Sequence, residues 1–225
     1  MPSTVDPQLL KRLQTGIAEL QLPFTISTAQ SEQLVRYVEL LARWNSTYNL
    51  TAVRDPLQMI SRHILDSLVI APYVTTDRLL DVGTGPGIPG IPLAIIKPEL
   101  HVDLLDSNGK KTRFMQQVKA ELGLTNIAVF QARAQQHKEQ HKAAPYQQII
   151  SRAFASLTEF VGWTEALLAA DGQWLAMKGQ FPAEELQALD ALGQNGKIAV
   201  GLDNSYRLDV PDTEAERHLV VLSRR

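Results

Sequence analysis

The chain contains no cysteine, which excludes a disulfide framework, a Cys-based metal site and any thiolate nucleophile. It has no apolar run long enough to span a membrane. Its opening residues, MPSTVDPQLLKRL, do not lead a charged stretch into a hydrophobic core, so no secretion signal and a cytoplasmic location are expected. It has no excess of positive charge, since 22 Lys+Arg against 24 Asp+Glu leave a net charge of -2. A protein that held nucleic acid by charge alone would be basic, so any such contact here has to come from a local patch. There is also no internal repeat, low-complexity segment or Gly/Ser-rich linker. What is left is an ordinary globular composition, 44% hydrophobic and 20% charged over 225 residues. That length suits one α/β domain with an appendage, or two small domains.

The first seventy-odd residues read as helices. Asp6-Pro7 is an N-cap followed by proline at the first helical position, and Leu9, Leu10, Leu13, Ile17 and Leu20 recur at helical spacing up to Pro23. Ser27 with Gln30 forms a capping box for a second helix carrying Leu34, Val38 and Leu41 as far as Trp44. Asp55-Pro56 opens a third, with Leu57, Ile60, Ile64 and Leu68 inward, stopped by Pro72. From residue 78 strands and helices alternate, which implies a parallel sheet. Strands are predicted at 78–82, 101–106, 127–131, 147–151, 173–178, near 196–201 and near 217–222, and helices at 90–96, 108–122, 156–169 and 182–190. The last two strands lack a helix between them and are expected to pair as an antiparallel hairpin. The predicted fold is a Rossmann-like α/β sheet, mostly parallel with the last strand antiparallel. Residues 1–75 form an N-terminal helical cap on the sheet domain of residues 76–225, in one compact unit.

The most informative segment is LLDVGTGPGIPGIPLAII, residues 79–96, in which a strand breaks into a loop with glycines at 83, 85, 87 and 90 before a helix. Glycine serves where the backbone needs positive φ or where a ligand must approach closely. Two motifs overlap here. Gly85-x-Gly87-x-x-Gly90 fits the dinucleotide fingerprint, whereas Asp81-x-Gly83-x-Gly85-x-Gly87 fits the first motif of S-adenosylmethionine (SAM) methyltransferases. In both, an acidic residue closing the second strand holds a ribose, and Asp106 stands there, twenty-three positions after Gly83. Asp81 separates the two readings: expected to face the ligand, its carboxylate would repel a pyrophosphate but accept hydrogen bonds from the ammonium of a methionine moiety. Pro89 and Pro92 leave few backbone N–H groups to cradle a phosphate. SAM is therefore the expected cofactor. A SAM enzyme acting on a small molecule and a dinucleotide-binding regulatory domain stand as the alternatives.

Several separate motifs, in order, resemble the RsmG family, also known as glucose-inhibited division protein B. They are Trp44-Asn45 with Tyr48-Asn49-Leu50-Thr51, Arg62-His63-Ile64-Leu65-Asp66-Ser67, DVGTGPGIPGIPLAI (81–95), Ser151-Arg152-Ala153-Phe154-Ala155, Met177-Lys178-Gly179 and Glu216-Arg217-His218-Leu219. The resemblance runs from about residue 40 to the C-terminus. It implies a SAM-dependent methyltransferase that forms 7-methylguanosine at one guanine of 16S rRNA. Its partner would be that RNA or the small ribosomal subunit, with no membrane and no particular oligomer implied. Family ligand contacts fall on Gly83 and Ile88, on Ala134-Gln135 after the third strand, and on Arg152. Many members carry a glutamate at the third-strand loop, where this chain has Gln135-Gln136.

The residues suit that chemistry. Guanine N7 has a free lone pair and needs no general base, and no convincing His–carboxylate pair is evident. Pyrimidine C5 methylation normally needs a Cys adduct, which this chain cannot form. The (Asp/Asn)-Pro-Pro-(Tyr/Phe) tetrapeptide of amino-nitrogen methylases is absent, its place being taken by Ser151-Arg152-Ala153-Phe154. The glycine loop and the acidic strand ends predict cofactor contacts at Asp81, Gly83, Gly85 and Asp106, and the resemblance implies Ile88, Ala134, Gln135 and Arg152 in addition. Lys178, at the edge where open α/β sheets bind ligands, is the catalytic candidate, orienting the base through guanine O6 or a phosphate; a solvated strand-end lysine is the plain alternative. Lys110, Lys111 and Arg113 sit in a helix first turn, where cations oppose the dipole. They read as an RNA-phosphate patch or as a solvated face, extendable by Arg133, Lys138 and Lys142, with Arg217 as a further RNA candidate. An unpaired or splayed guanine is the expected target, with Phe154 or Phe181 either stacking on it or packing in the core. His137 and His141 read as solvated, His63 and Asp66 as a structural hydrogen bond or cap, and Trp44 and Tyr48 as packing for the cap. No metal site is expected.

Overall fold

The computed structural model describes residues 5–141, 144–194 and 199–225. Its N-terminal helices form where the capping chemistry places them. Asp6 accepts from the backbone N–H groups of Gln8 and Leu9 to start α1 (Pro7–Glu19), and the Ser27–Gln30 capping box starts α2 (Thr28–Tyr48). The third helix begins as predicted under Asp55 but is not uniform: α3 (Pro56–Met59) widens into a π turn (Ile60–Leu65) and resumes as α4 (Asp66–Leu68). Single π turns inside α-helices recur at functional sites. This one carries Arg62 exposed and His63 buried into the cap–sheet junction.

Seven strands follow: β1 (Arg78–Val82), β2 (His101–Asp106), β3 (Ile127–Gln131), β4 (Tyr146–Arg152), β5 (Leu168–Lys178), β6 (Val200–Arg207) and β7 (His218–Arg224). The order is β3-β2-β1-β4-β5-β7-β6. The pairs among β1 to β5 are parallel, and β7 runs antiparallel to both β5 and β6. Helices α5 (Gly90–Ile96), α6 (Gly109–Leu122), α7 (Ala134–His141), α8 (Leu157–Thr164) and α9 (Ala183–Gln194) connect the strands. The chain reverses its winding between β1 and β4, and the crevice beyond the carboxyl ends of strands at such a point is where open α/β sheets take ligands.

Alternation along the strands feeds two cores. Leu79, Leu219 and Val221 face one side, where they join the cap residues Leu13, Leu34, Val38 and Leu41 and the helix residues Ile91 and Phe114 in one continuous cluster. Leu80, Val220 and Leu222 face the other side with Leu157, Phe160 and Trp174. Side-chain amides of α2 also cap the helices beneath it. Gln30 Nε2 donates to the carbonyls of Ile95 and Ile96, and Gln33 Nε2 donates to that of Leu122. These amides satisfy carbonyls that would otherwise be orphaned at helix ends.

Three predicted elements differ. The helix expected over 156–169 stops at Thr164. There the Thr164 hydroxyl bonds the Phe160 carbonyl and receives Trp174 Nε1, and β5 starts early, at Leu168. The polar run read as solvated begins as helix α7, and His137 on it is fully buried, 3.2 Å from the Tyr146 hydroxyl and edge-on to Phe130. The strand expected near 196–201 is β6, beginning at Val200, and part of the predicted span lies outside the described residues.

Candidate functional site

The glycine loop after β1 takes its shape from backbone freedom and one carboxylate. Gly83, Gly85 and Gly87 have φ of +66°, +63° and +98°, a region open to glycine at no steric cost. Asp81 Oδ2 accepts from Thr84 Oγ1 at 2.5 Å and from the Gly90 N–H at 2.8 Å, closing the loop onto the first turn of α5. Asp81 is fully buried, and burial is the main cause that raises its pKa from 3.8 to about 7, offset in part by those two hydrogen bonds. Its other oxygen, Oδ1, is buried without a hydrogen-bond partner among the described residues. From the cap, the buried Tyr37 hydroxyl donates to the Pro86 carbonyl at 3.0 Å, so α2 holds the loop from behind.

A cleft of about 520 Å³ opens beside this loop at the carboxyl edge of the sheet. Gly83 and Asp106 form one wall, Ala134 and Gln135 another, and Phe154 and Trp163 a third. Asp106 is the polar centre. It accepts from Gly85 N–H at 2.9 Å and Asn108 N–H at 2.8 Å, and Lys111 Nζ lies 3.7 Å away. Phe154 lies so close over Gly83 that a Cβ there would collide with its ring, and Trp163 meets that ring edge-on at 5.5 Å.

The loop after β4 is held at both ends. At its start, Arg152 Nη1 donates to Asp66 Oδ2 and to the Arg62 carbonyl, both at 2.9 Å, and Arg217 Nε donates to Asp66 Oδ1 at 2.8 Å. Asp66 is buried, so cap, β4 and β7 meet on one carboxylate bridging two guanidinium groups. His63 adjoins it, and burial, then the Arg152 charge, lowers its pKa to about 4. Ala153 follows with φ of +49°. At the far end, Lys178 Nζ donates to the Ala155 carbonyl at 3.0 Å and to both Glu185 oxygens at 3.0 and 2.8 Å.

The structure therefore gathers some predicted residues and separates others. Gly83, Asp106, Ala134 and Gln135 line the cleft, while Gly85 stands one hydrogen bond from it through Asp106. Asp81 and Ile88 lie buried behind the loop; Asp81 was expected to face the ligand, and one of its oxygens is instead committed to loop closure. The Arg152 guanidinium points to the cap rather than into the cleft. Lys178 was expected to offer a donor to the base, yet all three of its N–H groups have partners in this structure. Arg217 is likewise bound to Asp66. Lys111 belongs to the cleft wall, whereas Lys110 and Arg113 are exposed on α6. Arg133 also lines the cleft, while the side chain of Lys138 and the whole of Lys142 lie outside what the structure describes. Phe154 proves to be a cleft residue, while Phe181 is exposed and edge-on to His218. Trp163 and Asp66 were missed as parts of the site. No local motif marks the tryptophan; the aspartate's signals are its i, i+3 spacing from His63 and its place in the Arg62–Ser67 motif.

The sheet order, the antiparallel β7 and the glycine loop beside an acidic strand end define an α/β protein with the fold of SAM-dependent methyltransferases. The O-methyltransferase TomG from Streptomyces achromogenes, solved in complex with SAM, superposes with a TM-score of 0.55 at 14% identity, covering 94% of this chain and 96% of that one. A ribosomal protein L11 methylase from Lactobacillus delbrueckii subsp. bulgaricus gives 0.51 at 17% identity, over 71% and 77%. The family described as rRNA small subunit methyltransferase G (GidB) matches residues 30–204, and the chain belongs to it. It is 48% identical to the ribosomal RNA small subunit methyltransferase G of Pseudomonas syringae pv. syringae (strain B728a), over 100% of this chain and 99% of that protein. It is 49% identical to the protein of that name from Marinobacter nauticus, over 97% and 96%.

The residues present fit SAM. The positive-φ glycines leave a cradle without side chains, Asp106 keeps acceptor capacity at the cleft wall, and the orphaned Asp81 Oδ1 suits a cationic donor. No helix among the described residues is long and apolar enough to cross a membrane.

Proposed function

We propose that this chain transfers the methyl group of SAM to N7 of one guanine in 16S rRNA, acting on the small ribosomal subunit or its RNA. Its family makes it a SAM-dependent rRNA methyltransferase; the atom and the form of the acceptor are the proposed part. The observation that carries the reading is the glycine loop set beside Asp106 at the open edge of the sheet, in a chain that matches its family over residues 30–204. Neither the small-molecule nor the dinucleotide alternative has comparable support.

When bound, SAM supplies an electrophilic methyl group carried on sulfonium. Guanine N7 presents a lone pair, so no side chain has to remove a proton. The work left to the protein is holding two reactants in line, which is worth up to about 7–11 kcal/mol. Asp106 would accept hydrogen bonds from the ribose hydroxyls, and the backbone at Ala134 and Gln135 would border the adenine, a contact that does not depend on a glutamate side chain there. Phe154 and Trp163 exclude water from the reacting end. Arg152 and Lys178 act as positioning residues, fixing the two ends of the loop that carries Phe154. Lys110 and Arg113, exposed at the start of α6, would take RNA phosphates.

Two measurements test this. Calorimetric titration should show binding of SAM and not of NAD, and Asp106→Ala should weaken the SAM interaction. With methyl-labelled SAM, unmodified small subunits or their rRNA should be labelled and large-subunit RNA should not. Tight SAM binding with no transfer to any small-subunit substrate would contradict the acceptor; preference for NAD would contradict the cofactor.

A further inference from the structure

A cavity of about 700 Å³ lies apart from the cofactor cleft. It lies on the cap, between α1, the α3–π-turn segment and the loop between β6 and β7. Its charged lining consists of Lys11, Arg12, Arg62 and Asp212, and its uncharged lining is mainly polar, including Gln58 and Ser61. The single acid is neutralised in place, since Asp212 pairs with Arg12 at 2.5 Å. Lys11 and Arg62 are exposed and have no side-chain partner among the described residues. The groove therefore carries uncompensated positive charge on a molecule whose net charge is -2.

Its position matters as much as its charge. Arg62 lines the groove, and its own carbonyl receives Arg152 Nη1 at 2.9 Å. Arg152 in turn begins the loop that carries Phe154 into the cofactor cleft. The π turn and the start of α4 make both contacts available from one stretch of chain, with Ser61 and Arg62 toward the groove and His63 and Asp66 toward Arg152 and Arg217. Asp209, Glu214 and Glu216 of the β6–β7 loop line a separate, smaller pocket and not this groove.

Resting on the rRNA-methyltransferase reading, we propose that this cap groove is a docking site for the phosphodiester backbone of the RNA flanking the target guanine. Lys11 and Arg62 make the phosphate contacts, and the exposed Gln58 supplies a neutral hydrogen bond. Phosphate contacts fix register without reading sequence, and each one releases counterions on binding. The groove thus sets how the strand enters the cleft, separately from Lys110 and Arg113 on α6.

The test measures the affinity of the full chain for unmodified small ribosomal subunits and for naked 16S rRNA, between about 50 and 200 mM monovalent salt, with SAM affinity in parallel. Lys11→Gln with Arg62→Gln should leave SAM binding unchanged and weaken binding to both RNA substrates. It should also lower the slope of log affinity against log salt by about 2, one per lost phosphate contact. Lys11→Arg with Arg62→Lys should restore both. Arg225→Gln should change neither, because Arg225 follows the C-terminal end of β7, away from the Asp212 loop, and is paired with Asp203. Unchanged affinity and slope in the double glutamine variant, with wild-type binding intact, would overturn the groove alone. Weaker binding to subunits with the salt slope and naked-rRNA affinity unchanged would assign the groove to a protein surface and overturn the RNA assignment. A wild-type chain that binds SAM but neither RNA substrate would overturn the groove together with the substrate reading.

Discussion

Asp81 shows how one side chain serves both fold and ligand. Oδ2 closes the glycine loop, while Oδ1 is buried without a partner among the described residues. Burial lifts its pKa to about 7, whereas an unfolded aspartate ionises near 3.9. The folded state thus holds this proton more tightly, and Asp81's contribution to stability is complete below about pH 4 and lost as pH rises through 7. A cationic donor reaching Oδ1 favours the ionised form, so SAM affinity should rise between about pH 5.5 and 7, by up to about tenfold per unit. The upper limit is set by an α-amino group losing its proton near 8. Asp81→Asn should weaken binding and flatten that slope in a calorimetric series; a flat wild-type profile would contradict the role. Gly83→Ala meets two obstacles, the positive φ and the Phe154 ring. It should cost at least about 1–2 kcal/mol and abolish SAM binding. Adding Phe154→Ala should recover part of the stability by removing the collision, as read by urea unfolding.

Between elements, the decisive contacts gather on the loop from β4 to α8. Its sequence, Ser151 to Ser156, announced a departure from amino-nitrogen methylases but not its attachments, because these lie far away in the chain. Asp66 reaches Arg152 and Arg217 across long sequence separations, and no spacing rule connects them. Lys178 and Glu185 are only seven residues apart, yet a turn and a helix start intervene. Asp66→Ala would leave two guanidinium groups without their shared anion. It should lower stability by about 2–4 kcal/mol, tempered by the partial exposure of both arginines. Lys178→Met should release the Ala155 carbonyl and let the Phe154 loop drift. The expected result is a fall in kcat on the order of 10- to 100-fold with SAM affinity retained; full activity would refute a positioning role. The strands flanking the glycine loop were legible because buried parallel strands read as short apolar runs. Helix α7 was not, since its polar sequence gives no sign that His137 turns inward. Edge strand β6 was also obscured, because VGLDNSYR is mostly polar and exposed.

At the scale of the whole molecule, cap and sheet share one core cluster extending from Leu9 to Val221. Gln30, Gln33 and Tyr37 on α2 add polar ties to α5, α6 and the glycine loop. Denaturation should therefore show a single transition by both tryptophan fluorescence and circular dichroism. Two separated transitions would instead make residues 1–75 an independent domain. This architecture is compatible with an acidic chain acting on RNA, with positive charge confined to local surfaces such as the cap groove and the start of α6. The measurement that tests the central claim most directly is the identity of the product. Unmodified small subunits are incubated with the protein and methyl-labelled SAM, the RNA is digested to nucleosides, and the labelled nucleoside is identified. The account predicts label in 7-methylguanosine at a single position; label in any other nucleoside, or on a guanine atom other than N7, would contradict it.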